Sequence, residues 1–191
     1  MTASLKGKRV AILVEDGFED RELTGPLEAL REAGATVTLV GPTAGAEFKG
    51  KRGLATVKTD VAAGAARMRD FDALVIPGGH APDKMRMRHA MVDLVRDAMD
   101  AGKPVAAICH GLWPLIDAGV VRDRTVTSWP SLKTDLSNAG AHWVDQEVVT
   151  DNGLVTSRKP DDIPAFNRKM IEEFAEGRHA PGARVQGASG R

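Results

Sequence analysis

The stretch Val105-Ala106-Ala107-Ile108-Cys109-His110-Gly111-Leu112-Trp113-Pro114-Leu115-Ile116 is the place to begin reading this chain. Its first residues are a short apolar run of the buried-strand type, entering a sharp turn at Gly111. From Leu112 the pattern reads as the start of a helix. Cys109, the only cysteine in 191 residues, sits where strand hands over to helix. Ala107 and Gly111 lie two residues away on either side, and small residues there let the backbone close tightly. That is the layout of a nucleophile elbow, with sulfur in place of a hydroxyl. The first amides of a helix carry partial positive charge, so the placement is expected to tilt the thiol toward thiolate, its reactive form. A lone cysteine in an arbitrary strand is more often inert core filling. The adjacent His110, the small flanks and the strand–helix junction weigh here toward chemistry.

Outward from the elbow, strand and helix patterns alternate. Strands are expected at 9–14, 36–40, 73–76, 105–108, 125–128, 144–150 and 154–157. Helices are expected at 20–33, 92–101, 113–118, 131–139 and 160–176, and a hairpin or excursion at 47–57. Leu23, Leu27 and Leu30 show the helical spacing, and Gly34 stops that helix. Asp151-Asn152-Gly153 is a hairpin signal. Such alternation implies an α/β fold, a mostly parallel central sheet with helices on both faces. Ligand sites in these folds lie beyond the carboxyl ends of the strands. Cys109, Gly78-Gly79 and the segment from Glu15 to Glu19 each follow such a strand, so three loops should meet at one sheet edge. The reading gives a single domain over 1–176 and a loose tail over 177–191, rich in Gly, Ala, Pro, Arg and Ser.

Lys+Arg and Asp+Glu each number 26, so the formal net charge is zero. A balanced chain has no global attraction for nucleic acid or anionic lipid, and nucleic-acid binding is not expected. One cysteine cannot form an internal disulfide, which fits a reducing compartment. The N-terminus lacks the apolar region of a secretory signal, and no apolar run approaches the about 20 residues of a membrane helix. A soluble, cytoplasmic protein is expected.

His110, next to the thiol, can serve as general base or as partner of a thiolate; a capping or packing role beside Trp113 is the alternative. Pro77-Gly78-Gly79 offers amides without side-chain obstruction, and Gly79 N–H with His110 N–H could bind an oxyanion. Glu15, Asp16, Glu19 and Asp20 form an acidic patch, part of which must serve the N-terminus of the following helix. A carboxyl reaching Cys109 would be expected in its protonated, hydrogen-bond-donating form, because an ionised one opposes thiolate formation. The five histidines show no metal spacing with carboxylates or with Cys109, and no nucleotide-binding glycine motif is present, so neither metal nor cofactor is expected.

Several stretches closely resemble the PfpI (intracellular protease I) branch of the ThiJ/PfpI superfamily. They are Glu15-Asp16-Gly17-Phe18-Glu19-Asp20-Arg21-Glu22-Leu23, Ala73-Leu74-Val75-Ile76-Pro77-Gly78-Gly79-His80-Ala81-Pro82-Asp83, Ala107-Ile108-Cys109-His110-Gly111, the run from Thr127 to Asp135 and the run from Ala139 to Asp145. The resemblance runs from about Lys8 to about Glu176. It implies a flavodoxin-like three-layer sandwich of the class I glutamine-amidotransferase type. It implies Cys109 as nucleophile, His110 as its partner, Gly79 and His110 as oxyanion donors, and Glu19 against the cysteine. The third catalytic member would be an acid from a neighbouring subunit, matched here by Asp83, so a homo-oligomer, dimer or higher, is implied. Asp83 is one methylene shorter than the glutamate common there, and Leu112 replaces a frequent proline. Activities of similar proteins include peptidase, glutathione-independent glyoxalase and deglycase. The expected function is a stress-response cysteine enzyme acting on small carbonyl compounds, glycated adducts or peptides. The alternatives are a redox sensor that oxidises at Cys109 and a chaperone-like stress protein.

Overall fold

The apolar runs of the sequence become the middle of one sheet, and the amphipathic segments between them cover its faces. The computed structural model describes residues 3–180. In chain order the elements are β1 (Arg9–Leu13), α1 (Asp20–Glu32), β2 (Thr36–Gly41), β3 (Glu47–Lys49), β4 (Thr56–Lys58), β5 (Val61–Ala62), β6 (Ala73–Ile76), α2 (Ala81–Met85), α3 (His89–Asp100), β7 (Val105–Ile108), α4 (Trp113–Asp117), β8 (Thr125–Val126), α5 (Lys133–Asn138), β9 (His142–Trp143), β10 (Val148–Asp151), β11 (Leu154–Ser157) and α6 (Ile163–Glu176).

Seven strands form the main sheet in the order β10-β11-β7-β6-β1-β2-β5. All neighbours are parallel except β10, which returns antiparallel on β11 through the Asn152-Gly153 turn. β6 and β7 are buried throughout, and β1 is buried beyond Arg9. Strands covered on both faces read as continuous apolar runs, which is why the sequence shows them clearly. Winding runs outward from β1 to β2 through α1, then reverses to β6 on the other side of β1 and continues to β7 through α3. Right-handed crossovers in opposite directions place α1 and α3 on opposite faces. α6 packs against α1, and α4 against α3. The result is the expected three-layer, flavodoxin-like sandwich, and the reversal at β1 and β6 is the point where such sheets open a crevice.

The excursion after β2 is the antiparallel hairpin β3–β4, with register Phe48↔Val57. Its tip is tied to the first turn of α1. Asp20 accepts from the amides of Arg52, Leu54 and Ala55 at 3.0, 2.8 and 2.8 Å. Burial opposes ionisation of Asp20, yet these amides hold its carboxyl below its ordinary value.

Some boundaries differ from the sequence reading. The strand expected over 125–128 stops at Val126, because the next amide, Thr127 N–H, donates sideways to Thr156 Oγ1 at 3.0 Å. β8 pairs instead with β9, an element the sequence does not signal. The strand expected over 144–150 begins only at Val148, and the last helix opens with a 3-10 turn at Pro160–Asp162. α2, short and started by a proline in its first turn, follows Gly79 where the sequence indicates only a strand stop. Of the tail assigned to 177–191, residues 181–191 lie outside the described residues. Residues 177–180 are fastened: His179 N–H donates to Gly102 O at 2.8 Å, and Asn152 Nδ2 to Ala180 O at 3.0 Å.

The elbow is closed by backbone contact. A Cβ on Gly111 would stand 2.4 Å from Ile76 O and 3.1 Å from Pro77 O. Gly111→Ala is therefore expected to destabilise the fold by about 1–3 kcal/mol, the usual penalty of overpacking, read as a lower urea midpoint. An unchanged midpoint would show that β6 and the elbow have room to part.

Candidate active site at the cysteine elbow

Cys109 has φ 63°, in the left-handed region that side chains other than glycine rarely adopt. The conformation costs roughly 1–2 kcal/mol and is the backbone signature of the elbow. A 3-10 turn over Cys109–Leu112 leads into α4. The side chain is only 5% exposed. Its Sγ lies 3.2 Å from His110 Nδ1. The backbone amides of His110 and Gly79 both donate toward the sulfur. They are the same two amides that the sequence singles out, and here both are directed at one atom.

The glycines behind the elbow are required by close approach. A Cβ on Gly78 would meet Glu22 Oε2 at 2.3 Å and Cys109 Cβ at 2.7 Å. Gly79 has φ 89°, and a Cβ there would strike Glu19 N at 2.3 Å. Phe18 bridges to Gly79 on one side and to Gly50 of the hairpin on the other. Loops after β1, β2 and β6 are thus joined at the sheet edge through backbone.

The acidic patch resolves residue by residue. Glu15 pairs with Arg88, and Asp16 accepts from Lys49 N–H at 3.1 Å. Asp20 holds the hairpin. Glu19, expected against the sulfur, is instead the N-cap of α1: its Oε2 accepts from Glu22 N–H at 2.9 Å. The carboxyl that meets Cys109 belongs to Glu22. Glu22 is fully buried, and its Oε2 accepts from Gly78 N–H at 3.0 Å. The physical reason for the exchange is helical geometry. A residue at the cap satisfies orphan amides at the helix start, whereas the third position inside turns onto the buried face beside Leu23. That spacing is a signal available in the sequence: Glu22, Leu23, Pro26, Leu27 and Leu30 occupy one stripe, and a carboxyl within an apolar stripe needs a partner.

Burial, reinforced by the charge of Glu19, pushes the Glu22 carboxyl up to about 8. Burial also pushes the Cys109 thiol up, and the nearby Glu22 carboxyl adds to this; the amides of His110 and Gly79 pull back only in part. The expected tilt toward thiolate is therefore corrected. The following helix is five residues long, too short for its dipole to offset burial. Near neutral pH Glu22 is held protonated, as expected for a carboxyl beside this sulfur. The first proton leaving the pair leaves one negative charge shared between carboxyl and sulfur. Burial lowers the His110 value, and the positive charges of Lys51 and His80 add to the effect, so its imidazole is neutral and can accept a proton.

His110 stands at a rim of aromatic rings. Trp113 meets it edge-on at 4.9 Å between centroids, and Trp129 stacks at 6.3 Å. Its Nε2 faces Ser131 Oγ at 3.5 Å. Asp83 is exposed in the first turn of α2 and forms no hydrogen bond or ion pair among the described residues. Within one chain it is not joined to His110. The three-ligand His/Cys/carboxylate groups found among the described residues do not include Cys109.

Fold and site together define a doubly wound α/β domain with a cysteine elbow on the strand next to its switch point. The chain belongs to the DJ-1/PfpI family, whose profile matches residues 8–173. It is 47% identical over 165 residues to protein/nucleic acid deglycase 2 of Escherichia coli K12, covering 86% of this chain and 96% of the relative. It is 45% identical over 166 residues to general stress protein 18 of Bacillus subtilis, covering 86% and 96%. Among solved structures, Drosophila melanogaster DJ-1beta superposes with a TM-score of 0.82 at 32% identity, covering 88% of this chain and 90% of that one.

A carboxyl raised from 4.5 to about 8 binds its proton more tightly folded than unfolded. Its contribution to stability is complete below the ordinary value and is lost as pH climbs through the folded one. The wild type is expected to lose stability relative to Glu22→Gln across that window, by up to about 1.4 kcal/mol per pH unit. Urea midpoints at stepped pH measure this, and parallel curves for the two proteins would refute the buried proton.

Proposed function

We propose that this protein is a cysteine-dependent enzyme of stress defence, acting in the cytoplasm on small carbonyl compounds and glycated adducts. The observation that carries the reading is the convergence of His110 Nδ1, at 3.2 Å, and two backbone amides on the Cys109 sulfur. The names of the relatives, a deglycase and a general stress protein, support the same reading.

In the first step the Cys109 proton passes to neutral His110, and Sγ attacks the carbonyl carbon. An S–C bond forms as the C=O π pair moves onto oxygen. The amides of Gly79 and His110 are placed to hold that oxyanion, and the His110 imidazolium returns the proton to give a hemithioacetal. With methylglyoxal, proton shift and hydrolysis complete a net addition of one water to give lactate, with the thiol regenerated. No oxidant is consumed. Protonated Glu22, behind the sulfur, stabilises the thiolate by donating to it and avoids like-charge repulsion.

Asp83 enters this reading from a second subunit. It is exposed, and among the described residues it has no hydrogen-bond or ion-pair partner and His110 Nε2 meets no carboxylate. The neighbouring Met87 is 79% exposed, an apolar side chain suited to cover in a homo-oligomer. A site closed between subunits is narrow, which favours small carbonyls over folded proteins.

Cys109→Ser is expected to reduce methylglyoxal conversion to background, and His110→Ala to reduce kcat by about 10²–10⁴-fold, the usual range for a lost general acid–base group. Lactate formation followed on purified protein checks both. Unchanged turnover in Cys109→Ser would end this reading.

A further inference from the structure

The β3–β4 hairpin does more than cover the edge of the sheet. Its tip is locked onto the reactive backbone. Lys51 N–H donates to Phe18 O at 2.8 Å, and Gly17 N–H donates to Lys49 O at 2.8 Å. Phe18 is also the residue bridged to Gly79. Gly50 leaves no room for a side chain, because a Cβ would stand 2.1 Å from Asp20 Oδ1. One backbone link thus separates the Lys51 amide from the strand segment that holds an oxyanion donor.

The positive charge of Lys51 is felt at both Glu22 and His110, the two groups that flank the sulfur. Three other cations near this edge are held by carboxylates: Lys84 by Asp16 at 3.6 Å, Arg86 by Asp117 at 2.7 Å and Arg88 by Glu15. Lys51 is exposed, and among the described residues it has no carboxylate within ion-pair distance and no hydrogen-bond acceptor for its ammonium. Asp20, the acid that anchors its hairpin, is occupied by three amides. A fixed cation without a partner, at the mouth of a site whose interior holds acids, attracts an incoming anion and orients it. An ammonium does so as a point charge.

We propose that Lys51 is a specificity-determining residue of this site. It binds the carboxylate of short carbonyl compounds in which a carboxylate adjoins the reacting carbon, and so selects anionic over neutral substrates. The chemistry at that carbon rests on the function proposed above. The charge preference itself belongs to the approach to Cys109 and is measurable without turnover.

The test compares alkylation of Cys109 by iodoacetate and by iodoacetamide. In both, an S–C bond forms as the C–I bond breaks and iodide leaves; the reagents differ in charge. With a single cysteine in the chain, intact-mass spectrometry reports the site directly. Relative to free cysteine, the wild type is expected to favour iodoacetate, and Lys51→Met to lower the iodoacetate-to-iodoacetamide rate ratio by about tenfold, the effect of about 1.4 kcal/mol. Lys51→Arg should keep the ratio near that of the wild type, which a purely structural role of the lysine would not require. A reactive thiol whose ratio is indifferent to Lys51 overturns this inference alone. A thiol inert to both reagents overturns the cysteine-enzyme reading and this inference with it.

Discussion

A buried carboxyl placed against a buried thiol governs this molecule. Glu22 has lost its water, lies beside the charge of Glu19 and meets Cys109 and Gly78 N–H. Ionising both Glu22 and Cys109 would put two negative charges in contact without solvent, so the pair gives up its protons one at a time. The amides around it divide the remaining charge. Gly78 N–H favours the carboxylate, whereas His110 and Gly79 N–H favour the thiolate. The reactivity of the sulfur therefore reflects a balance among four backbone and side-chain groups rather than the dipole of the short helix that follows it.

That balance needs loops from separate strands to close within hydrogen-bond distance. The reversal of winding at β1 and β6 opens the crevice, and glycines close it. Gly78, Gly79 and Gly111 each stand where a Cβ would overlap backbone or a site atom. The left-handed conformation of Cys109 adds strain that the surrounding contacts hold in place. Strain and a buried acid both oppose folding, and they meet at Cys109 and Glu22, side by side in the site. The wholly buried strands β6 and β7 on one side, and the capped start of α1 on the other, supply the rigidity that keeps them there.

The architecture was legible in the chain because its strands are short, apolar and separated by amphipathic helices with glycine stops. The elbow was legible for a different reason: alanine, cysteine, histidine and glycine in that order satisfy a steric requirement that few other sequences meet. Small pairings such as β8 with β9 were hidden, since two-residue strands carry no period and are fixed by tertiary contacts like Thr127 N–H to Thr156 Oγ1. That Glu22 rather than Glu19 meets the sulfur follows from where α1 begins. With the cap at Glu19, position 22 faces inward; a shift of one residue would have changed the assignment. Burial was the least legible quantity, and it reversed the expected direction of the Cys109 shift.

Charge is arranged asymmetrically about the sulfur. Glu19 and Glu22 lie behind it, buried on α1, while His110 and the exposed Lys51 face outward. Burial keeps the His110 value low, and the positive charge of Lys51 adds to that effect. The amides of Gly79 and His110 are directed at the sulfur, whereas Gly78 N–H is given to the Glu22 carboxyl. Near neutral pH Glu22 is held as the neutral acid, so it does not set a like charge against the sulfur. Burial holds the resting sulfur as a neutral thiol, so the cost of forming the thiolate must be met within the site, and the amides of His110 and Gly79 are the groups that offset it.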